Sequence, residues 1–433
     1  MIESWRIVKG DLLPTASRAR QRVLDASATG CHRVAKRRVC HASDESVPQE
    51  SRVSDAKPTE RSTDAAPHHD ADLLAALAEA DATVAARQRR ITPHHTPVGL
   101  DGHVGLRYFP LAPGAIGNRA GLLCLNRESV SQDLPDGRRT SLEEVRKEIT
   151  AHRVEVLEVC RPRRSHEWQV AESRYNRQIT ANTPIELSGP VRGSRWVRTK
   201  YSPSGILARG TLVNGAHGVT PWGTYLACES HWAGYFVNRA AVQPREHAGY
   251  GVATSAGRRR WEDLPADECA RFDATPMAGG SPEQDYRNEP NGFGWVVEID
   301  PFAPREVPRK RTALGRLDHD RAWFEPATPG HPLVVHLGDG SARGCLYMFI
   351  TRDVYRPGQT DGNCLDEGTL YVARLDAGGH LEWLALDHAL PDFRDAAAAR
   401  DVAFEDQADV LVNTRLAAEA VGAPLTGRRL PCP

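Results

Sequence analysis

The sequence predicts an all-β fold with a few inserted helices, and three observations lead there. From about residue 102 the chain breaks into short apolar or alternating runs, separated by Gly, Asp, Asn and Pro. Val154-Glu-Val-Leu-Glu-Val-Cys160 alternates as a half-buried strand does. Thr369–Leu375 and Leu381–Leu386 flank a five-residue connection, Asp376 to His380, and read as a hairpin.

Further strands are expected at Gly121–Leu125, Gly205–Val213, Gly294–Ile299, Leu333–Leu337 and Leu346–Ile350. Repeated up-and-down pairs of this kind suit a barrel, a sandwich or a propeller, and no strict repeat chooses among them. Two helices interrupt the strands. Ser141-Leu-Glu-Glu144 is a capping-box start for a helix running to about His152. Asn413-Thr414 opens a second over Arg415–Val421, and Gly422 stops it. The Pro- and Arg-rich stretch Ala240–Asn288 is expected to run outside the sheets.

Aromatic residues set the domain boundary. None occurs from Arg6 to Arg107, whereas eight of the nine tryptophans follow Tyr108. Residues 1–100 are therefore expected to be disordered apart from a helix over Ala71 to about Arg87. The folded domain is expected over 101–423, with 424–433 as a tail. His68-His69 and His94-His95 have no acidic or cysteine partners at fixed spacing and read as solvated loop residues.

A net charge of −1 supplies no global field to recruit nucleic acid or an anionic membrane, and neither is expected as a partner. No apolar run is long enough to span a bilayer. Arg37-Arg38 and Arg89-Arg90 are not followed by the apolar segment of an export signal, so the chain as written is expected in the cytoplasm, as a monomer. The nine cysteines include no Cys-x-x-Cys pair, which argues against zinc fingers and a disulfide framework. Cys124, Cys160 and Cys345 fall in apolar runs and read as inert buried thiols.

Candidate chemistry lies in acidic residues at strand ends beside glycine. These are Glu128, Glu229, Asp320, Asp339 and Glu367, together with the thiol of Cys228. Thiolate favours iron, zinc or copper, whereas carboxylates suit calcium, so Cys228-Glu229 could serve a site of mixed metals. Neighbours on a regular strand point to opposite faces, so both serve one cluster only if the chain bends there.

Asn214-Gly-Ala-His-Gly-Val-Thr-Pro-Trp-Gly-Thr-Tyr-Leu-Ala-Cys-Glu229 resembles the signature of the PhoX-type bacterial alkaline phosphatases. Gly121–Glu128, Ser173–Gly189, Phe293–Pro301, Lys310–Arg316, Leu365–Arg374 and Asp406–Gly422 are similar to further family segments, in family order. The resemblance spans roughly residues 105 to 423. It implies a β-propeller, six-bladed in the family and incomplete in this chain. It also implies iron and calcium as cofactors, with Cys228 as an iron ligand, and phosphomonoester substrates hydrolysed for phosphate scavenging. Export by the twin-arginine route is the family's habit.

This chain departs from the pattern at several points. The family's second glutamate after the cysteine is Ser230, its Asn-His-Glu is Asn126-Arg127-Glu128, its His-Glu is His319-Asp320, and its Gly-Asp-Asp is Gly338-Asp339-Gly340. No counterpart of its Arg-Pro-Glu-Trp segment follows Gly422; Arg428-Arg429 has no accompanying glutamate. Impaired activity is the expectation. A non-catalytic calcium-binding relative is the alternative, and a calcium-dependent lactonase is disfavoured by the long motifs.

Overall fold

The structure, a computed structural model, describes residues 103–112, 119–127, 139–163, 168–341, 344–375 and 380–423. The expectations for residues 1–100, the turn 376–379 and the tail 424–433 lie outside the described residues. No described helix is long and apolar enough to cross a membrane.

The described chain is mostly β-strand, in three sheets. Sheet I holds β1 (His103–Pro110), β2 (Ala120–Arg127) and β3 (Arg153–Cys160) as an antiparallel run. β4 (Gln169–Val170) and β5 (Arg177–Thr180) both pair with β3. Sheet II contains β6 (Pro184–Ser188), β7 (Leu207–Arg209), β8 (Asn214–Val219), β9 (Tyr225–Glu229), β10 (Val296–Ile299) and β11 (Arg309–Arg311). Its order is β7-β6-β11-β10-β9-β8, antiparallel except for the parallel β6–β11 pair. Sheet III is the meander β12 (His319–Phe324), β13 (Pro332–Asp339), β14 (Leu346–Val354), β15 (Gly368–Leu375) and β16 (Leu381–Ala385).

Alternation along the strands explains how the sheets assemble. Tyr225 and Ala227 of β9 with Val297 and Ile299 of β10 join Leu122, Cys124, Val154 and Val156 of sheet I in one core. The intervening residues Leu226, Cys228 and Val296 join Val335, Leu337, Tyr347 and Phe349 of sheet III in another. Sheet II is thus covered on both faces. Edge strand β8 lies against edge strands β1 and β12. Its contact with β12 is close enough to need glycine: a Cβ on Gly218 would stand 2.1 Å from the Ala322 carbonyl oxygen.

The expected strand Gly205–Val213 shrinks to β7. Gly210 (φ 83°) and Val213 (φ 49°) adopt left-handed backbone, which breaks the extended run. A Cβ at Gly210 would also lie 2.0 Å from the Ala181 backbone, a contact invisible to local pattern. The capping box forms as expected: Ser141 accepts from the Glu144 amide ahead of helix Leu142–Ala151. The helix near the chain's end spans Thr414–Ala420. Helices Pro391–Ala398 and Gln407–Val412 were not anticipated; their apolar side chains, Phe393, Val410 and Leu411 among them, join the core between sheets II and III.

Segment 240–288 runs outside the sheets, as its composition suggests, yet brings a core of its own. Trp232, Phe236, Tyr250, Trp261 and Phe272 pack with Val145 and Ile149 of the first helix. Arg316 pins this layer to the sheets. Its guanidinium donates to the carbonyls of Pro290 (2.7 Å), Glu246 (2.9 Å) and Phe293 (3.0 Å), and lies against the rings of Trp232 and Tyr250. Burial without a directly bonded carboxylate lowers its pKa to about 10.

Gly218→Ala should force β8 and β12 apart. We expect a loss of about 2 kcal/mol or more, read as a lower urea midpoint with secondary structure retained. An unchanged midpoint would mean that this close approach carries no stability.

Candidate functional site

Cys228 and Glu229 sit at the end of β9, both wholly buried. Successive residues of a strand face opposite ways, and the two side chains meet different surroundings. Cys228 enters the core between sheets II and III. Burial pushes its thiol pKa well above the ordinary range, and the charges of Asp320 and Glu229 push it in the same direction. Asp320, on β12 of sheet III, is therefore near enough for its charge to be felt at a sulfur held by sheet II.

Glu229 is enclosed by donors. One carboxylate oxygen accepts from Lys310 Nζ at 2.8 Å and the Leu212 amide at 3.4 Å; the other accepts from the amides of Gly294 (2.9 Å) and Trp295 (3.0 Å). Four donors fill the usual acceptor positions of a carboxylate. Lys310 is as deeply buried, gives a second hydrogen bond to the Gly292 carbonyl, and lies 4.2 Å from the Phe293 ring centroid. Burial lowers the lysine pKa, and Glu229 works against that shift.

Asp339 closes β13 and is also occupied. Arg415 grips it with two hydrogen bonds of 2.7 Å and reaches Asp318 at 3.0 Å. Burial opposes the arginine's charge, but these two carboxylates outweigh it and raise its pKa. Asp318 also accepts from the His231 amide at 2.7 Å. The Asp318–Asp339–Arg415 group thus fixes the strand ends around Asp320. The Asp320 carboxylate rests over Gly340, where a Cβ would meet it at 2.2 Å. Asp320 is exposed and takes no hydrogen bond or ion pair among the described residues.

Glu367 lies elsewhere. It is exposed and paired with Arg352 at 2.5 Å. β14 separates the two places: Leu346 pairs with Gly338 near Asp320, whereas Thr351 pairs with Gly368. That stretch of strand corresponds to roughly 17 Å at the usual rise per residue. Glu128 lies outside the described residues. Of the six candidates, the structure brings Cys228, Asp320 and Asp339 into one neighbourhood, and turns Glu229 and Glu367 away from it. No group of three or more His, Cys, Asp or Glu poised to hold a metal ion occurs among the described residues.

The donor chemistry bears on iron and calcium. Cys228 and Asp320 offer one soft and one hard donor free of cationic partners among the described residues. Glu229 and Asp339 have their oxygens taken by Lys310 and Arg415. The described residues fit two ligands of a metal centre, not a complete set.

A second buried network lay inside the quoted motifs without a role assigned to it. On the Cys228 face of sheet II, Glu298 accepts from Trp222 Nε1 (2.7 Å), Thr224 (2.6 Å) and Arg311 (2.7 Å). Arg311 also reaches Asp366 at 2.9 Å. The available signal was a run of basic residues, Lys310-Arg311, inside a strand-like segment; basic side chains there must be paired if the sheet is covered on both faces.

The model of the family described as alkaline phosphatase PhoX matches residues 79–429. Among solved structures, the chain is similar to Pseudomonas fluorescens PhoX in complex with vanadate, a transition state analogue. Identity is 37% and the TM-score 0.63, over 75% of this chain and 55% of that one. The chain therefore spans about half the length of this relative. No curated protein matches it. The mostly β-strand fold with a few helices matches that structure. The chain belongs to the PhoX alkaline phosphatase family.

Two predictions test the buried electrostatics. Lys310→Met leaves the Glu229 charge unneutralised in the core and should cost about 3–5 kcal/mol in denaturant unfolding. Adding Glu229→Gln should recover part of that loss; a single variant as stable as the parent would show the pair to be dispensable.

His247 is buried, accepts from the Asn238 amide, and has its pKa lowered to about 3 by burial and then by Arg316. A depressed histidine pKa means that the unfolded state binds the proton first. Stability is fully present above the unfolded value near 6.5 and falls as pH drops towards 3. At pH 5 the loss from this group should be about 2 kcal/mol. His247→Gln should flatten the fall between pH 7 and 5; an unchanged slope would exclude His247 as its source.

Proposed function

We propose that the chain is a metal-dependent phosphomonoester hydrolase on part of a β-propeller, with Cys228 and Asp320 at its metal centre. One observation carries this reading: a buried thiol and an exposed carboxylate stand on contacting strands of different sheets, and neither has a cationic partner among the described residues. The similar Pseudomonas fluorescens protein has been captured with vanadate, which supports a phosphoryl substrate for this chain. The neighbouring edge strands β1, β8 and β12 support a radial arrangement of blades.

Cys228 would hold iron and Asp320 would share in holding it or an adjacent calcium. When bound, such ions neutralise phosphate charge and lower the pKa of an attacking oxygen. The chain's own contribution is positioning. Arg415 fixes Asp318 and Asp339, and with them the turn that carries Asp320. Lys310 and the amides of Gly294 and Trp295 fix Glu229, which sets the end of β9 and hence Cys228. Burial keeps the Cys228 thiol protonated until a cation displaces the proton, so metal loading should become easier as pH rises. With Glu229 and Asp339 held by Lys310 and Arg415, fewer carboxylates are left to hold those ions, and turnover should be weak.

A second reading, a non-catalytic calcium-binding relative, is favoured by the engagement of Glu229 and Asp339 with cationic side chains. Elemental analysis of the purified chain, with p-nitrophenol release from p-nitrophenyl phosphate in iron and calcium, separates the two. The hydrolase reading expects bound iron and slow turnover, both lost in Cys228→Ser and reduced at least about tenfold in Asp320→Asn. Calcium without iron and no turnover would leave the second reading.

A further inference from the structure

Segment 240–288 also borders a cavity that the proposed hydrolase does not use. Its volume is about 300 Å³, the lower end of small-molecule sites, and its lining shares no residue with the Cys228–Asp320 neighbourhood. Glu246, on the short helix Arg245–Ala248, lines it. This residue is 8% exposed, yet among the described residues only its own amide serves its carboxylate. Arg316 meets the Glu246 carbonyl instead (2.9 Å), and Arg245 turns to Asp409 and the Ala403 carbonyl. Burial raises the Glu246 pKa, and its own amide and these two charges do not cancel the shift. The desolvation cost of this carboxylate is therefore left uncompensated.

Two amides in the same lining are oriented alike. The Gln243 amino group donates to the carbonyls of Asn238 (2.9 Å), Ala253 (3.1 Å) and Val252 (3.2 Å). That of Asn288 donates to the carbonyls of Arg195 (3.0 Å) and Arg198 (3.1 Å). These contacts fix both amides, and the two amide oxygens accept from no described residue. Arg287 lines the cavity too, but Asp285 answers its charge at 2.6 Å. We propose that this cavity binds a small primary ammonium ion. Its three N–H groups match the oxygens of Glu246, Gln243 and Asn288, and a short apolar chain lies against Val242, Pro244 and Pro276. Calcium fits less well, because it takes about six to eight oxygens and Glu246 is the one carboxylate among the described lining residues.

Isothermal titration calorimetry of the full chain with n-butylammonium tests this. One site is expected, with a dissociation constant of about 1 mM or tighter, the reach of a ligand with so few atoms. Tetramethylammonium carries the charge without N–H donors, and n-butanol carries the chain without the charge. Each should bind at least about tenfold more weakly. Glu246→Gln keeps the shape and removes the charge, and should weaken n-butylammonium by at least about tenfold. It also removes an uncompensated buried charge, so its thermal midpoint should not fall. If that variant misfolds, crystals of the parent soaked in n-butylammonium decide the matter. Density with its amine end beside Glu246 supports the site, and density elsewhere or none overturns it. The proposal also fails if the parent does not bind n-butylammonium, if tetramethylammonium binds equally well, or if Glu246→Gln leaves the affinity unmoved. Competitive displacement of n-butylammonium by calcium would overturn it too, giving these oxygens to a metal instead.

Discussion

The middle sheet is covered on both faces, and much of the interior chemistry follows from that. Glu229, Glu298, Lys310 and Arg311 on β9, β10 and β11 are buried, so each needs a partner inside. Glu229 and Lys310 answer one another on the side towards sheet I, and Glu298 and Arg311 on the side towards sheet III. Successive residues of β11 thus supply a cation to each face. Neither pair argues for high stability, because desolvation offsets most of the Coulombic gain. What they provide is definition. Glu229 also gathers the amides of Gly294 and Trp295, which fixes where β10 begins.

That arrangement separates two residues adjacent in sequence. Cys228 goes to the sheet II–III core, and Glu229 to a closed ion pair. The proposed mixed thiolate and carboxylate site therefore runs between sheets, from Cys228 on β9 to Asp320 on β12, rather than between neighbours on one strand. The close approach of β8 to β12 at Gly218 holds those sheets together, and Arg415 on the Thr414–Ala420 helix holds the strand ends that present Asp320. A helix and two sheets therefore set the geometry of a site whose first donor lies in a single motif.

Much of the fold was legible. β3 and the strands β13 to β16 of sheet III show plain alternation or apolar runs, whereas β12 does not, and the Ser141 capping box and Asn413-Thr414 opening are local signals. The run Gly205–Val213 misled because its break depends on Gly210 passing the Ala181 backbone, a contact between distant segments. β11, Arg-Lys-Arg in sequence, has no strand signature at all. It is a strand because Glu186, Glu229, Glu298 and Asp366 pair with its cations.

By itself the sequence determined the class of fold, the family and the residue types able to bind metal, because these reside in local periodicity and in long ordered motifs. Tertiary structure decided which of those residues are available. Lys310 lies 81 positions from Glu229, and Arg415 lies 76 from Asp339. Whether a carboxylate is open to a cation or already closed by one depends on such distant partners. Tertiary structure also decided which sheet faces are covered, since a strand's alternation shows that it has an apolar side but not what lies against it.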